Sequence, residues 1–270
     1  MSGLIKITAR PRLRNPHLLA AWPGVGNVAL IIAGYLRTKL QFKQLGFLEA
    51  SKFFDPIGVQ VKDNVIEAPT FPRNELLYWK NPSEDKDLIL FIGEDQPPAK
   101  NYELANTIID IAERFSVERI YTCAAAMTRI HHTEQPKVWG VGTSHLVTRD
   151  LVPFHLEYSR SLQIAGLNGL LLGVAKERDR DGVCLLGEVP QYASRLPNPM
   201  AALAVLKVLS AMLRIKIDLA ELARMAVEAQ EHIKIMAAQA MEEYIDNFTE
   251  PIWERDDFDE DEDEEEPNEN

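Results

Sequence analysis

The sequence predicts an α/β protein with a three-layer α/β/α architecture, a mostly parallel mixed sheet and additional C-terminal helices. Short, continuously apolar runs of strand length, such as Asp87–Ile92 (DLILFI), alternate along the chain with longer segments of helical periodicity. Such runs are typical of strands in a parallel sheet that helices cover on both faces. Hydrophobic residues make up 46% of the 270 residues, which is sufficient for a substantial core.

The first elements follow a basic, irregular segment, residues 1–16. Residues 17–22 have the length and apolarity of a buried strand, and residues 25–40 form an apolar run that ends with Arg37 and Lys39, as a helix C-terminus favours. Residues 46–50 predict the next strand.

The middle of the chain begins with a predicted β-hairpin, in which Asp63-Asn64 forms the turn between two short alternating segments. Strands at 76–79 and 87–92 and an amphipathic helix at 101–115 come next. Further predicted elements are strands at 119–124, 138–144 and 182–186, and a helix that follows the turn at Gly166 and ends near Glu177.

The C-terminal part is predicted to be helical. Asn198 followed by Pro199 is a strong signal for a helix start, and a nearly all-apolar segment follows. The sequence therefore divides into a basic N-terminal extension (1–16), an α/β core (17–197), C-terminal helices that pack on the core or on a partner subunit (198–250), and an acidic disordered tail (251–270).

The last helix carries small and apolar residues at alternating steps of three and four, which is a coiled-coil period. This stripe predicts a seam with another helix or subunit, although packing of the helix on its own domain is an equally open interpretation. The interface candidates are Leu222, Ala226, Ala229, Ile233, Met236 and Ala240.

The charge is concentrated at the C-terminal end. Residues 256–270 contain 11 acidic and no basic residues, so that removing them from the net charge of −12 leaves about −1 for the rest of the chain. A nearly neutral body argues against a nucleic-acid partner, which would need a basic surface. The sequence shows neither a signal peptide nor an apolar run of membrane-spanning length, and its two cysteines are expected to be buried and reduced, so a cytoplasmic location without membrane partners is expected.

The turn at Gly24 has two interpretations. Gly24, Gly26 and Ala29 have the spacing of a dinucleotide-binding turn between a strand and a helix, and Glu49 follows at the end of the next strand. The alternative, which the preceding Trp22-Pro23 favours, is a glycine turn shaped by packing.

Three more glycine turns follow predicted strands, at residues 93–98, 166–169 and 187–192. Turns of this kind gather at the carboxyl ends of parallel strands, where ligand clefts form, and carboxylates that meet there can act as acid–base pairs or hold a metal. The candidates for such a cleft are Gly24, Gly26, Asn27, Gly93, Glu94, Asp95, Gly166, Asn168, Gly169, Gly187 and Glu188.

No catalytic motif accompanies these turns. The chain has no Gly-x-Ser-x-Gly, His-Glu-x-x-His or Walker motif, so the sequence predicts no catalytic residues, no metal site and no cofactor.

The ordered motifs AWPGVGNVA, FIGEDQP, AGLNGLLLG and CLLGEVPQY…PNPMAALAVL resemble those of the proteasome assembly chaperone 2 family in its single-chain prokaryotic form, over residues 16–245. The resemblance implies a phosphorylase- or hydrolase-like α/β/α fold, a homo-oligomer, and a non-enzymatic role in protein assembly with a proteasome-like or other protein client. The alternative is an enzyme or ligand-binding protein, ATP-grasp ligase-like or hydrolase-like, that acts on a small molecule or nucleotide in the cleft.

Overall fold

The computed structural model describes residues 4–56, 58–83, 85–159 and 161–249. The strands in these ranges are β1 (Ile5–Ile7), β2 (His17–Ala21), β3 (Lys43–Leu48), β4 (Val61–Lys62), β5 (Val65–Ile66), β6 (Asn74–Trp79), β7 (Leu88–Gly93), β8 (Arg119–Thr128), β9 (Val138–Gly142) and β10 (Gly182–Pro190). The helices are α1 (Val28–Lys39), α2 (Asn101–Arg114), α3 (His145–Arg149), α4 (Leu167–Glu177), α5 (Pro199–Leu213) and α6 (Ala220–Thr249).

Eight strands form one mixed sheet in the order β1-β3-β6-β7-β2-β8-β10-β9. The four central strands β7, β2, β8 and β10 run parallel, and the outer pairings are antiparallel. Strands β2 and β10 are buried along their whole length, as their unbroken apolar sequences predict. The predicted α/β class with a mostly parallel mixed sheet is confirmed.

Helices cover the sheet on both sides, and each side has its own apolar cluster. Residues of α1 and α5 pack on one face around Leu19, Leu90 and Leu185, and residues of α2 and α4 pack on the other around Leu18 and Ile89. Leu18 and Leu19 of β2 lie on opposite faces of the sheet, because successive side chains of a strand alternate between its two faces. The result is the predicted three-layer arrangement.

The N-terminal segment differs from the expected extension. Strand β1 pairs antiparallel with β3 at the edge of the sheet, and Ile5 and Ile7 pack beside the α2–α4 cluster while Lys6 between them is exposed. The alternation is only three residues long, and the basic residues that follow it obscure the pattern in the sequence.

The predicted hairpin is present as β4 and β5, a two-stranded sheet with the turn at Asp63 and Asn64, which both have positive φ. The predicted start of α5 is also present: the Asn198 side chain accepts a hydrogen bond from the Ala201 N–H at 2.9 Å, and Pro199 is the first helical residue.

The described part of the chain divides into two compact units, with the boundary between residues 230 and 231. The first contains the sheet and the beginning of α6. Of the second, the structure describes the remainder of α6, residues 231–249, but not the side chains of Ala240 and of residues 242–249. The predicted acidic disordered tail, 251–270, lies outside the described residues.

Candidate functional site

The carboxyl ends of the parallel strands form a rim, which we define by the turns after β2, β7 and β10 and by the start of α4. Strand β2 ends at Ala21, β7 at Gly93 and β10 at Pro190, and α4 begins after Gly166. Gly187 and Glu188, which the sequence predicts to lie in a turn after a strand at 182–186, instead lie within β10, because the strand continues to Pro190. The rim therefore carries the other three predicted glycine turns, at Gly24, Gly93 and Gly166. Their side chains and backbone groups decide whether the rim binds a ligand or is filled by the protein itself.

Trp22 fills the space beside β7. Its side chain is fully buried and lies 5.0 Å from the Phe91 ring, centroid to centroid. A Cβ atom on Gly93 would stand 2.4 Å from Trp22 Nε1 and Cδ1, so that only glycine fits at this position. Gly93 is thus required by the packing of an indole ring.

Gln96 connects two of the turns. Its Nε2 donates a hydrogen bond to the Pro23 carbonyl oxygen at 2.6 Å, and its Oε1 accepts one from the Leu167 N–H at 2.8 Å. Gly166 has φ +72°, and a Cβ there would lie 2.7 Å from Gln96 Oε1. The neighbouring Asp95 carboxylate accepts a hydrogen bond from the Gln96 N–H at 2.7 Å.

Gln96 is not among the residues that the sequence predicts for the site, because the predicted candidates at this turn are its glycine and carboxylates. An amide with both a donor and an acceptor, placed between Glu94-Asp95 and Pro97 in a turn, was the available signal. Its role is to tie the turn after β2 to the N-terminus of α4.

Asn168 and two glycines form the next part of the rim. Asn168 is buried, and a Cβ on Gly24 would lie 3.5 Å from its Nδ2. A Cβ on Gly169 would lie 2.3 Å from the Ile164 carbonyl oxygen, closer than any side chain allows. The structure therefore places Gly24 beside Asn168, and Gly166 and Gly169 at the start of the same helix, all in close contact with protein atoms.

Gly26 uses its own backbone groups within the protein. Its N–H donates to the Ser194 carbonyl at 3.2 Å, and its carbonyl accepts from the Asn198 N–H at 2.8 Å. Both Gly26 (φ +63°) and Asn27 (φ +49°) are left-handed, and the Asn27 N–H donates to the Gly24 carbonyl at 2.9 Å. Phosphate binding at a turn of this type needs backbone N–H groups that point at the ligand, and these two are already occupied. The geometry therefore favours the packing interpretation of the opening glycine turn.

The two glutamates of the rim do not meet. Glu94 binds Arg73, whose backbone N–H and Nε donate to the carboxylate at 2.8 and 2.6 Å, and these contacts lower the pKa of Glu94. Glu188 accepts a hydrogen bond from the Lys137 N–H at 3.0 Å. Strands β2 and β8 lie between β7 and β10, which puts the two positions about 14 Å apart at ~4.8 Å per strand. The structure thus does not assemble the shared carboxylate site that the sequence made possible.

Gly187, the last candidate, serves helix packing. A Cβ at this position would lie 2.8 Å from the Ala201 carbonyl oxygen, so Gly187 lets α5 approach β10 closely. Within the described residues, no group of three or more His, Cys, Asp or Glu side chains is arranged to hold a metal ion, and no helix is long and apolar enough to cross a membrane.

The predicted interface stripe on α6 is partly buried and partly exposed. Leu222 belongs to the apolar cluster on the α1–α5 face, Ala226 and Ile233 are buried, and Ala229 is half-buried. Met236 is 41% exposed, and the Ala240 side chain lies outside the described part of the chain. Leu222, Ala226 and Ile233 are therefore buried by this single chain alone, and the interface role of the exposed remainder stays a prediction.

The fold and the rim together define a class: a three-layer α/β/α protein whose glycine turns at the carboxyl ends of parallel strands serve close internal packing. The model of the PAC2 family matches residues 18–237, and the chain belongs to this family. The resemblance found in the sequence motifs is thereby confirmed.

Three relatives illustrate the match. An uncharacterised protein of Methanocaldococcus jannaschii is 30% identical over 244 residues, which cover 87% of this chain and 90% of the relative. The crystal structure of PbaB from Pyrococcus furiosus, an archaeal proteasome activator, is 28% identical, with a TM-score of 0.71 over 86% of this chain and 98% of that chain. PbaA from the same organism, an archaeal homolog of proteasome-assembly chaperone, is 24% identical and shares the fold, with a TM-score of 0.65 over 89% of this chain and 99% of that chain.

Proposed function

We propose that this protein is a chaperone-like binding protein that promotes the assembly of protein subunits, and that it acts as a cytoplasmic homo-oligomer without catalysing a reaction. Membership in the PAC2 family and the likeness to an archaeal proteasome activator support a proteasome-like client. The enzymatic alternative finds little support at the rim, because Glu94 and Glu188 bind separate partners and two strands lie between their positions.

The exposed hairpin is the observation that carries this proposal. All residues from 58 to 70 are exposed, although the hairpin presents four aliphatic side chains, Val59, Val61, Val65 and Ile66, which are 50%, 65%, 66% and 71% exposed. An isolated two-stranded hairpin is at best marginally stable in water, and contiguous exposed apolar surface marks sites of protein interaction. We therefore assign the hairpin as the surface that contacts the client.

The test is binding of recombinant proteasome subunits from the same host, measured by biolayer interferometry. The double variant Val61→Ser/Ile66→Ser removes two apolar anchors and should weaken binding by about tenfold or more. Its melting temperature should stay unchanged, because neither side chain contributes to a described apolar cluster.

The matched control is Gln60→Ser/Lys62→Ser, which alters exposed polar positions of the same hairpin. It should bind like the wild type. Equal binding of both double variants would exclude the hairpin as the contact surface, and binding to no proteasome subunit would argue against a proteasomal client. Turnover of a metabolite that depends on Glu94 or Glu188 would instead support the enzymatic alternative.

A further inference from the structure

A cavity of about 720 Å³ lies at the end of the sheet opposite the rim. The C-terminus of α1, the start of β3, the end of β6 and the loop that follows β6 surround it. Its volume falls in the range of small-molecule sites, about 300–1,000 Å³. We call it the lysine cavity, since its charged lining residues are Lys39, Lys43, Lys80 and Lys216.

Three of these four ammonium groups lack a matching carboxylate among the described residues. Lys39 pairs with Glu221 at 2.6 Å, whereas Lys43, Lys80 and Lys216 have no ion-pair or hydrogen-bond partner among the described residues. Like charges that surround one cavity repel each other, and a bound anion relieves that repulsion. The concentration of positive charge is unusual here, because residues 1–255 carry a net charge of only about −1.

Asn81 adds a polar group to the same lining. It is 5% exposed, its Oδ1 accepts a hydrogen bond from the Ser83 N–H at 3.0 Å, and its Nδ2 has no partner within the described residues. An unsatisfied buried amide donor is costly unless an acceptor reaches it. The Nδ2 atom is itself buried, so Asn81 forms part of the polar wall and holds Ser83 in place, and the lysine side chains carry the interaction with a ligand.

The positive charge continues into a second cavity of about 190 Å³, which shares Lys80 and Asn81 with the first and also contains Arg12. Its one acidic lining residue is Asp87, whose carboxylate accepts the N–H groups of Arg14 and Asn81 at 2.7 and 2.9 Å. This single carboxylate balances at most one unit of positive charge, whereas Arg12, Arg14 and Lys80 line the same cavity.

We propose that the lysine cavity binds a small molecule that carries two or more phosphate groups. Lysine is a point-charge ligand for phosphate oxygens, and several lysines that converge from different segments suit a group with more than one negative charge. Inorganic diphosphate and the diphosphate group of a nucleotide share this chemistry. This site is separate from the client surface of the hairpin, so the two assignments succeed or fail independently.

Isothermal titration calorimetry of the full chain with inorganic diphosphate, ADP and adenosine at low ionic strength tests the proposal. Diphosphate and ADP should both bind and adenosine should not; tighter binding of ADP than of diphosphate would identify a nucleotide as the ligand. Binding should weaken as salt is added, because the attraction is electrostatic. Absence of heat with both phosphate compounds would overturn the proposal.

The variants locate the site. Lys80→Gln and Lys216→Gln should each weaken binding about three- to tenfold, and Asn81→Asp, which retains the acceptor for the Ser83 N–H, should weaken it further by placing a negative charge in the cavity. Lys176→Gln removes the same charge from an exposed position on α4 and should leave binding unchanged. Equal affinities of Lys80→Gln and Lys176→Gln would place any binding outside the cavity.

An acidic peptide is the competing occupant. A synthetic peptide of residues 256–270 carries 11 acidic side chains and should bind more weakly than diphosphate if the cavity is built for phosphate groups. Binding of this peptide without binding of diphosphate would overturn the proposal and assign the lysines to an acidic protein segment.

Discussion

Gln96 shows how a single amide can hold together segments that are distant in the chain. It bonds to Pro23 and Leu167, which lie 73 and 71 residues away. One side chain thus satisfies a carbonyl oxygen after β2 and one of the free N–H groups at the start of α4. Removing it leaves both backbone groups without a partner in a partly buried place.

Gln96→Ala is therefore expected to lower the free energy of unfolding by about 1–3 kcal/mol. Chemical denaturation with urea measures the change. Gln191→Ala is the control, because Gln191 is exposed and makes no side-chain hydrogen bond within the described residues, and it should stay within about 0.5 kcal/mol of the wild type. A loss as small as that of the control would mean that water replaces both bonds at no cost.

His17 is a buried histidine whose charged form the fold disfavours. It is 4% exposed, and burial, followed by the nearby Lys86 and Arg119, lowers the pKa of His17 from 6.5 to about 4. Glu118 Oε2 lies 4.0 Å from Nε2, at the outer limit of an ion pair, and does not compensate. Between about pH 6.5 and about pH 4, His17 is therefore protonated in the unfolded chain and neutral in the folded chain.

Between about pH 7 and about pH 5, this difference should reduce the free energy of unfolding by about 2 kcal/mol. The loss begins as the pH falls through 6.5 and is complete below about pH 4. His17→Phe keeps an aromatic ring beside Tyr121 and removes the titration, so the variant should lose less stability over the same interval. Urea denaturation of both proteins at the two pH values gives the result, and parallel losses would show that other groups govern the acid sensitivity.

The secondary-structure elements could largely be predicted from the sequence, because each carries its own local signal. The hairpin has the turn pair Asp63-Asn64, whose residues adopt positive φ. Helix α5 has its Asn198 cap, and β10 begins with an apolar run. Strand β1 escaped prediction since three residues are too few for a period to emerge.

The partners at the candidate site could not be predicted in the same way. Glu94 binds Arg73, 21 residues upstream in an irregular stretch. The Glu188 carboxylate accepts a hydrogen bond from the backbone N–H of Lys137, a group that every residue except proline possesses. Neither partner leaves a signal in the sequence. The glycine pattern predicts close approach of backbone segments, but whether a glycine accommodates a ligand or the ring of Trp22 depends on tertiary contacts.

The connection from β2 into α1 offers a paired test of this distinction. Gly26→Ala forces a side chain into left-handed backbone and to within 3.1 Å of Asn198 Cβ, so we expect a loss of about 1–2 kcal/mol. Gly34→Ala, in the middle of α1 with no atom within 4 Å of the new Cβ, should instead raise stability by up to about 1 kcal/mol. Thermal unfolding of the two variants gives the signs, and a Gly26→Ala protein as stable as the wild type would contradict the packing role of this turn.

At the scale of the whole molecule, the excess negative charge and the exposed apolar side chains occur in different parts of the chain. The acidic residues are concentrated after residue 255, the rest of the chain is nearly neutral, and exposed aliphatic side chains occur on the hairpin and on α6. A nearly neutral body lowers the electrostatic cost of bringing copies together. The self-association that we propose should therefore depend on particular apolar contacts.

The exposed part of the α6 stripe supplies the test. Met236 lies on the stripe and is 41% exposed, while Ile235 lies beside the stripe and is 54% exposed. If α6 forms a seam between subunits, Met236→Glu places a charge in that seam and should reduce the mass measured by light scattering toward the 30.5 kDa of one chain, whereas Ile235→Glu should leave the mass unchanged. Both substitutions introduce the same side chain at exposed helical positions, so the comparison separates the interface from general effects of charge. An unchanged mass for Met236→Glu would exclude this part of α6 from the interface, and an equal reduction by both variants would show that the stripe does not define it.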